Sequence, residues 1–167
     1  MDGVPSMWRV ELWHPLVVHF PIALLLVGTA MRLLGMARAQ WDKAQFLVPA
    51  GRVLLVLGTL GAWTAVYTGT LADAAVARTL CDPTVVETHE HWAYWVAGLF
   101  TAAVVIDGVL WRSVPPMGLR QGLVVVLAGC MLAGSAGLAY VGHLGAKLVY
   151  QQAAAVHVPA DDCAAFE

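Results

Sequence analysis

Four apolar runs, each long enough to cross a lipid bilayer, constrain this chain more than any other feature. A helical span needs about 20 mostly apolar residues, and such runs lie at 15–34, 45–71, 89–111 and 119–143. Within hydrocarbon a segment must satisfy its own backbone N–H and C=O groups, which makes each run a helix. The expectation is an all-α, polytopic membrane protein: one domain over residues 1–167, folded as a four-transmembrane-helix bundle. Composition agrees, with 60% hydrophobic and 12% charged residues, far from the soluble norm. A net charge of −2 with no run of Lys or Arg provides no basic field for nucleic acid. Residues 1–12 carry Asp2 and Glu11 against Arg9, unlike a basic signal leader, so the first run reads as a permanent helix.

Basic residues set the expected orientation. Arg32, Arg38, Lys43, Arg52, Arg112 and Arg120 flank the first-to-second and third-to-fourth links, against Arg9, Arg78 and Lys147 on the other side. The positive-inside rule then makes the larger set cytoplasmic and puts both termini on the outer, periplasmic side. That orientation gathers His14, His19, His89, His91, His143 and His157 on the outer side, from four separate stretches. Ionisable groups at the edge of hydrocarbon are costly and mark function by default. Cys81 and Cys163 also fall outside, where an oxidising compartment permits a disulfide between them. Cys130 is a mid-span packing residue.

Each histidine has a structural alternative to a ligand role. His14 and His19 are five positions apart, about 140° around a regular helix and about 7.5 Å along it. The simplest division leaves His14 at the interface and turns His19 into the bundle, with Pro21 bending the helix there. On the third helix His89 and His91 face nearly opposite ways. His89 shares an inward face with Tyr94, Val96 and Phe100, while His91, Trp92 and Trp95 suit the boundary. Thr84 followed by Glu87 reads as a capping box that starts this helix. Gly129, Ala133 and Gly137 form a small-residue seam on the fourth helix, for a neighbouring helix or a planar ligand. His143 closes that helix at similar depth. Asp107, near the cytoplasmic end, is expected to pair with Arg52 or Arg112.

His14-Pro15-Leu16-Val17-Val18-His19-Phe20-Pro21, Glu87-Thr88-His89-Glu90 and Gly142-His143-Leu144-Gly145-Ala146-Lys147-Leu148-Val149-Tyr150 resemble a bacterial membrane family, domain-of-unknown-function family 2231. The resemblance runs over nearly the whole chain. It implies a four-helix membrane domain, often beside respiratory and cytochrome c components, and no established activity. Relatives tend to continue past Tyr150 with a further histidine, where this chain has Gln152 and alanines.

Three chemistries fit histidines gathered at one end of a bundle. Haem b needs two imidazoles on different helices at matching depth and small residues beside the ring. His19 with His89 is the first choice of axial pair, His19 with His143 the alternative, and His14 would sit near the propionates. Copper or zinc would use three or four imidazoles, with Met7 or Glu90 completing the site. The third reading is a cofactor-free membrane anchor or assembly subunit. No Cys-x-x-Cys-His, catalytic triad, phosphate loop or nucleotide fingerprint is present, which argues against an enzyme acting alone. The expected role is an electron-transfer subunit of the bacterial inner membrane. It would sit in lipid within a larger redox complex and relay electrons between the quinone pool or a dehydrogenase and a periplasmic carrier such as a cytochrome c.

Overall fold

The computed structural model describes residues 6–38, 40–42 and 44–156. It is all helix: α1 (Trp13–Ala37), α2 (Ala44–Val76), α3 (Thr84–Arg112) and α4 (Met117–Gln152), with single 3₁₀ turns at Val10–Leu12 and Ala77–Thr79. All four are long and apolar enough to cross a membrane. The chain is therefore a multi-pass membrane protein built as one bundle. Short links make sequential helices antiparallel, so the start of α1, the α2–α3 loop and the end of α4 share one end, called here the terminal end.

The helices outrun the expected spans mostly at that end. α2 continues through Ala72, Ala74 and Ala75 to Val76, and α4 passes Gly142 and Gly145 to Gln152. Alanine favours the helix, and a glycine costs only about 1 kcal/mol. α4 stops where Ala153 turns left-handed (φ 52°) and Ala154 N–H bonds back to the Leu148 carbonyl at 3.0 Å, a Schellman-type ending. Gln152 then ties the end of α4 to the α2–α3 loop, accepting from Asp82 N–H at 3.1 Å. The expected capping box at Thr84 does not form. The Asp82 carboxylate takes that role, accepting from Thr84 N–H at 3.0 Å and Thr84 Oγ1 at 2.6 Å.

Packing is dense within the α1/α2 hairpin and within the α3/α4 hairpin, and sparser between them. α2 borders α3 and α4 borders α1, so α1 and α3 face each other across the bundle. The buried centre consists of Leu25, Leu55, Val96, Phe100, Leu127 and Met131, with Ala62, Ala97 and Ala103.

The two hairpins repeat one geometry. Leu25 fills the space a Cβ would take at Gly58, and Phe100 fills that space at Gly134. Pro21 sits against Gly61, and Val96 sits in the same way against Gly137. Leu55 of α2 corresponds to Met131 of α4, both fully buried. The step in numbering from Pro21 to Val96 equals that from Leu25 to Phe100, and the α2-to-α4 step is equally constant. Such regularity places a pseudo-twofold axis along the bundle, between α1 and α3. Of the expected seam Gly129, Ala133 and Gly137, only Gly137 packs inward, as the seat of Val96, with Gly134 beside it as the seat of Phe100; Gly129 and Ala133 are exposed.

Candidate functional site

Two polar layers interrupt the apolar interior, and both lie where α1 meets α3 near the pseudo-twofold axis. At the terminal end His14 and His89 meet, with ring centres 6.0 Å apart and planes at 87°. At the other end Arg32 meets Asp107. On each helix the layers are eighteen positions apart, about 27 Å at 1.5 Å per residue. That nearly equals the ~30 Å hydrocarbon thickness of a bilayer.

His14 and His89 are held by one device used twice. His14 Nδ1 lies 2.9 Å from the Ala65 carbonyl, and His89 Nδ1 lies 3.1 Å from the Val141 carbonyl. A carbonyl has no proton to give, so each Nδ1 donates, and the neutral ring keeps a bare lone pair on Nε2. Four positions after each carbonyl stands a glycine. A Cβ at Gly69 would come within 3.2 Å of His14, and one at Gly145 within 3.4 Å of His89. The missing side chains let the imidazoles lie flat enough against α2 and α4 to reach those carbonyls. All four helices thus contribute to the pair.

The histidines expected to face inward are placed differently, apart from His89. His19 is exposed on α1 and His143 is exposed on α4. Neither expected axial pair, His19 with His89 or His19 with His143, comes together in the bundle interior. The reason is helical register. Pro21, Leu25 and Arg32 are the buried residues seven, eleven and eighteen positions after His14, so His14 shares their face and His19 lies well off it. On α4 the buried positions Gly137, Leu144 and Leu148 leave His143 on the outer side. Tyr94, expected inward, is also exposed. His91 behaves as the boundary residue anticipated, its Nε2 accepting from Trp95 Nε1–H at 3.0 Å.

Asp73, outside the expected set, lies one turn beyond Gly69 on α2. It follows Ala65 and Gly69 at four-residue intervals, on the face of α2 that His14 covers. Its Oδ1 is buried and has no hydrogen-bond partner among the described residues. The four-residue spacing is a readable signal, but only once Gly69 is recognised as the seat of a ring. Met7 is exposed, and Glu90 lies 3.5 Å from Thr70 Oγ1. Among the described residues no group of three or more His, Cys, Asp and Glu could hold a metal ion. Cys81 is exposed; the expected Cys81–Cys163 bond and His157 lie outside the described residues.

At the opposite end Asp107 accepts from both Arg32 and Arg52, the latter at 2.6 Å. Arg52 was an expected partner and Arg32 was not. Arg112, the other expectation, lies over the Trp111 ring instead, 5.8 Å from its centre.

The sequence pattern of the family described as "Predicted membrane protein (DUF2231)" matches residues 13–158. The chain belongs to that family. No curated protein and no solved structure matches it.

Proposed function

We propose that this member of domain-of-unknown-function family 2231 is an electron-transfer subunit of the bacterial inner membrane, holding haem b between His14 and His89. The observation that carries this reading is the posture of the two rings. They come from opposite helices at matching depth, each Nδ1 is anchored on a backbone carbonyl, and neither Nε2 has a hydrogen-bond partner among the described residues. A carbonyl on the far nitrogen fixes tautomer and ring orientation and raises ligand basicity, the usual support of a metal-bound histidine. Spacing supports it too. Two metal–nitrogen bonds of about 2.0–2.1 Å, with the distance from each nitrogen to its ring centre, put imidazoles on one ion about 6 Å apart. A group held by one residue from each hairpin has to sit in the seam between hairpins, where the packing is sparser.

When bound, haem supplies one-electron chemistry at a potential set by its ligands and burial. The Ala65 and Val141 carbonyls would hold and orient the two imidazoles that ligate it, at the end of the bundle open to a carrier in the adjoining water. The excess of basic residues at the opposite end supports a periplasmic position for this one. The electron partners would then be quinol or a membrane dehydrogenase on one side and a periplasmic carrier such as a cytochrome c on the other. A bare copper ion is the second reading, favoured by ring centres that already stand at single-ion spacing.

The test is the reduced-minus-oxidised visible spectrum and metal content of the full chain purified in mild detergent. A bis-imidazole haem band is expected. It should vanish in His14→Phe and in His89→Phe and persist in His19→Ala and His143→Ala. Each Phe variant loses one neutral hydrogen bond, about 1 kcal/mol, so it should remain folded. Stoichiometric copper in a colourless protein selects the second reading. Full haem retention in both Phe variants would overturn the assignment.

A further inference from the structure

We infer that the crevice between α2 and α3 at the end opposite the termini binds the phosphate of an anionic phospholipid. This goes beyond the redox reading and is independent of it, since the histidine layer lies a membrane thickness away.

Three observations meet in that crevice. The first is its lining. A hollow of about 220 Å³ is lined by Arg52, Trp111 and Arg112, by Asp107, whose carboxylate is taken up by Arg32 and Arg52, by Gly108, and by the apolar Leu55, Val56 and Val104. At about 30 Å³ per water in the liquid, the hollow has room for a phosphate group with a few waters. Both guanidiniums lie over the same indole, at 4.9 Å and 5.8 Å from its centre.

The second is charge. Arg32 and Arg52 share the single carboxylate of Asp107. Arg32 is 5% exposed, and its Nε has no hydrogen-bond partner among the described residues. Among those residues one cation is thus left uncompensated at the edge of hydrocarbon, where an unbalanced charge is costly. Arg112 adds a second. An anion in the hollow would relieve both.

The third comes from the repeat. At the equivalent positions between α4 and α1, Arg52 becomes Ala128, Trp111 becomes Met36 and Arg112 becomes Ala37. The shared scaffold therefore does not require these arginines; only this one of the two related crevices carries them. Basic pockets between transmembrane helices are a known way of holding anionic headgroups. The apolar walls favour a lipid over a free ion, because an acyl chain can follow Leu55, Val56 and Val104 while the phosphate meets the guanidiniums.

Native mass spectrometry of the full chain in detergent, titrated with phosphatidylglycerol or phosphatidylcholine, tests this. Phosphatidylglycerol should be retained preferentially. Arg112→Gln, which leaves the Asp107 cluster intact, should cut that preference about fivefold, the contribution of one basic residue near an anionic surface. Arg52→Gln should cut it at least as far, if the variant folds. Equal retention of the two lipids, or an unchanged preference in Arg112→Gln, would overturn the site. A parallel thermal-unfolding series with inorganic phosphate should show no shift. If phosphate alone stabilises the wild type as much as the lipid does, the lipid assignment falls.

Discussion

The two hairpins are built to one plan, and they differ most where they touch. Both place a histidine on the first helix, anchor it to a carbonyl of the second and leave a glycine beneath the ring. Eighteen positions further on, however, the first hairpin has Arg32 and the second has Asp107. Two copies of the first hairpin would bring two arginines together across the axis, and two copies of the second would bring two carboxylates. The neutral imidazoles carry no such preference. At the terminal end the halves are alike, while difference at the other end makes each half complementary only to the other.

The largest expected effect breaks that complementarity. Asp107→Ala leaves Arg32 buried without its partner and Arg52 beside it, and removing one member of a buried ion pair costs about 3–5 kcal/mol. Thermal unfolding in detergent should show it as a collapse of the transition or loss of folded protein. Exchanging the pair, with Arg32→Asp and Asp107→Arg together, should recover only part of the loss, because Arg52 would then face an arginine. A near-normal transition in Asp107→Ala would mean that the charges do not hold the halves together.

A smaller effect distinguishes the interiors of the hairpins. Gly51 of α2 corresponds to Leu127 of α4, and both are buried. A Cβ at Gly51 would stand 2.9 Å from the backbone nitrogen of Arg32, and backbone cannot swing aside as a side-chain tip can. Gly51→Val should therefore cost about 1–3 kcal/mol by overpacking and push Arg32 away from Asp107. Gly98→Ala, where a Cβ meets nothing within 4 Å, should be neutral or slightly stabilising. Equal melting temperatures for the two variants would show that close approach of α1 and α2 is not needed.

The four helices, the shared end of the bundle and the inward turn of His89 are legible in the sequence, because run length and the His89–Val96–Phe100 spacing depend on local rules. The choice between His14 and His19 is not. Their angular separation says that only one can face inward, and depth in the membrane points to His19. Register decides for His14, through Pro21, Leu25 and Arg32, and that face is hard to see in a helix apolar nearly all round. The repeat is hidden for a related reason. It is carried by pairs of a large residue and a glycine on different helices, Leu25 with Gly58 and Phe100 with Gly134, and neither member signals its partner along the chain. Arg32 reads as a cytoplasmic-flank charge for as long as its distant partner on α3 is unknown.

The smallest expected effect concerns how the two hairpins begin. α1 starts with no side-chain cap, whereas Asp82 caps the first turn of α3 through Thr84. Bonds from the Thr84 hydroxyl, and then from its amide, hold the Asp82 carboxyl below its usual value of 3.8. A carboxyl with a depressed value in the folded state contributes stability above its unfolded value and loses it as pH falls through the folded one. The cap should thus be complete from neutral pH down to about 4 and weaken only below that. Asp82→Ala should speed amide hydrogen exchange at residues 84–87 at neutral pH, while exchange in the first turn of α1 stays unchanged. On acidification the wild type should approach the variant, and a difference that persists undiminished well below the carboxylate range would rule out the ionised form as the cap. Asp82 reaches Gln152 through its backbone amide, which alanine retains. The variant therefore keeps the loop tied to α4, and the exchange signal isolates the carboxylate.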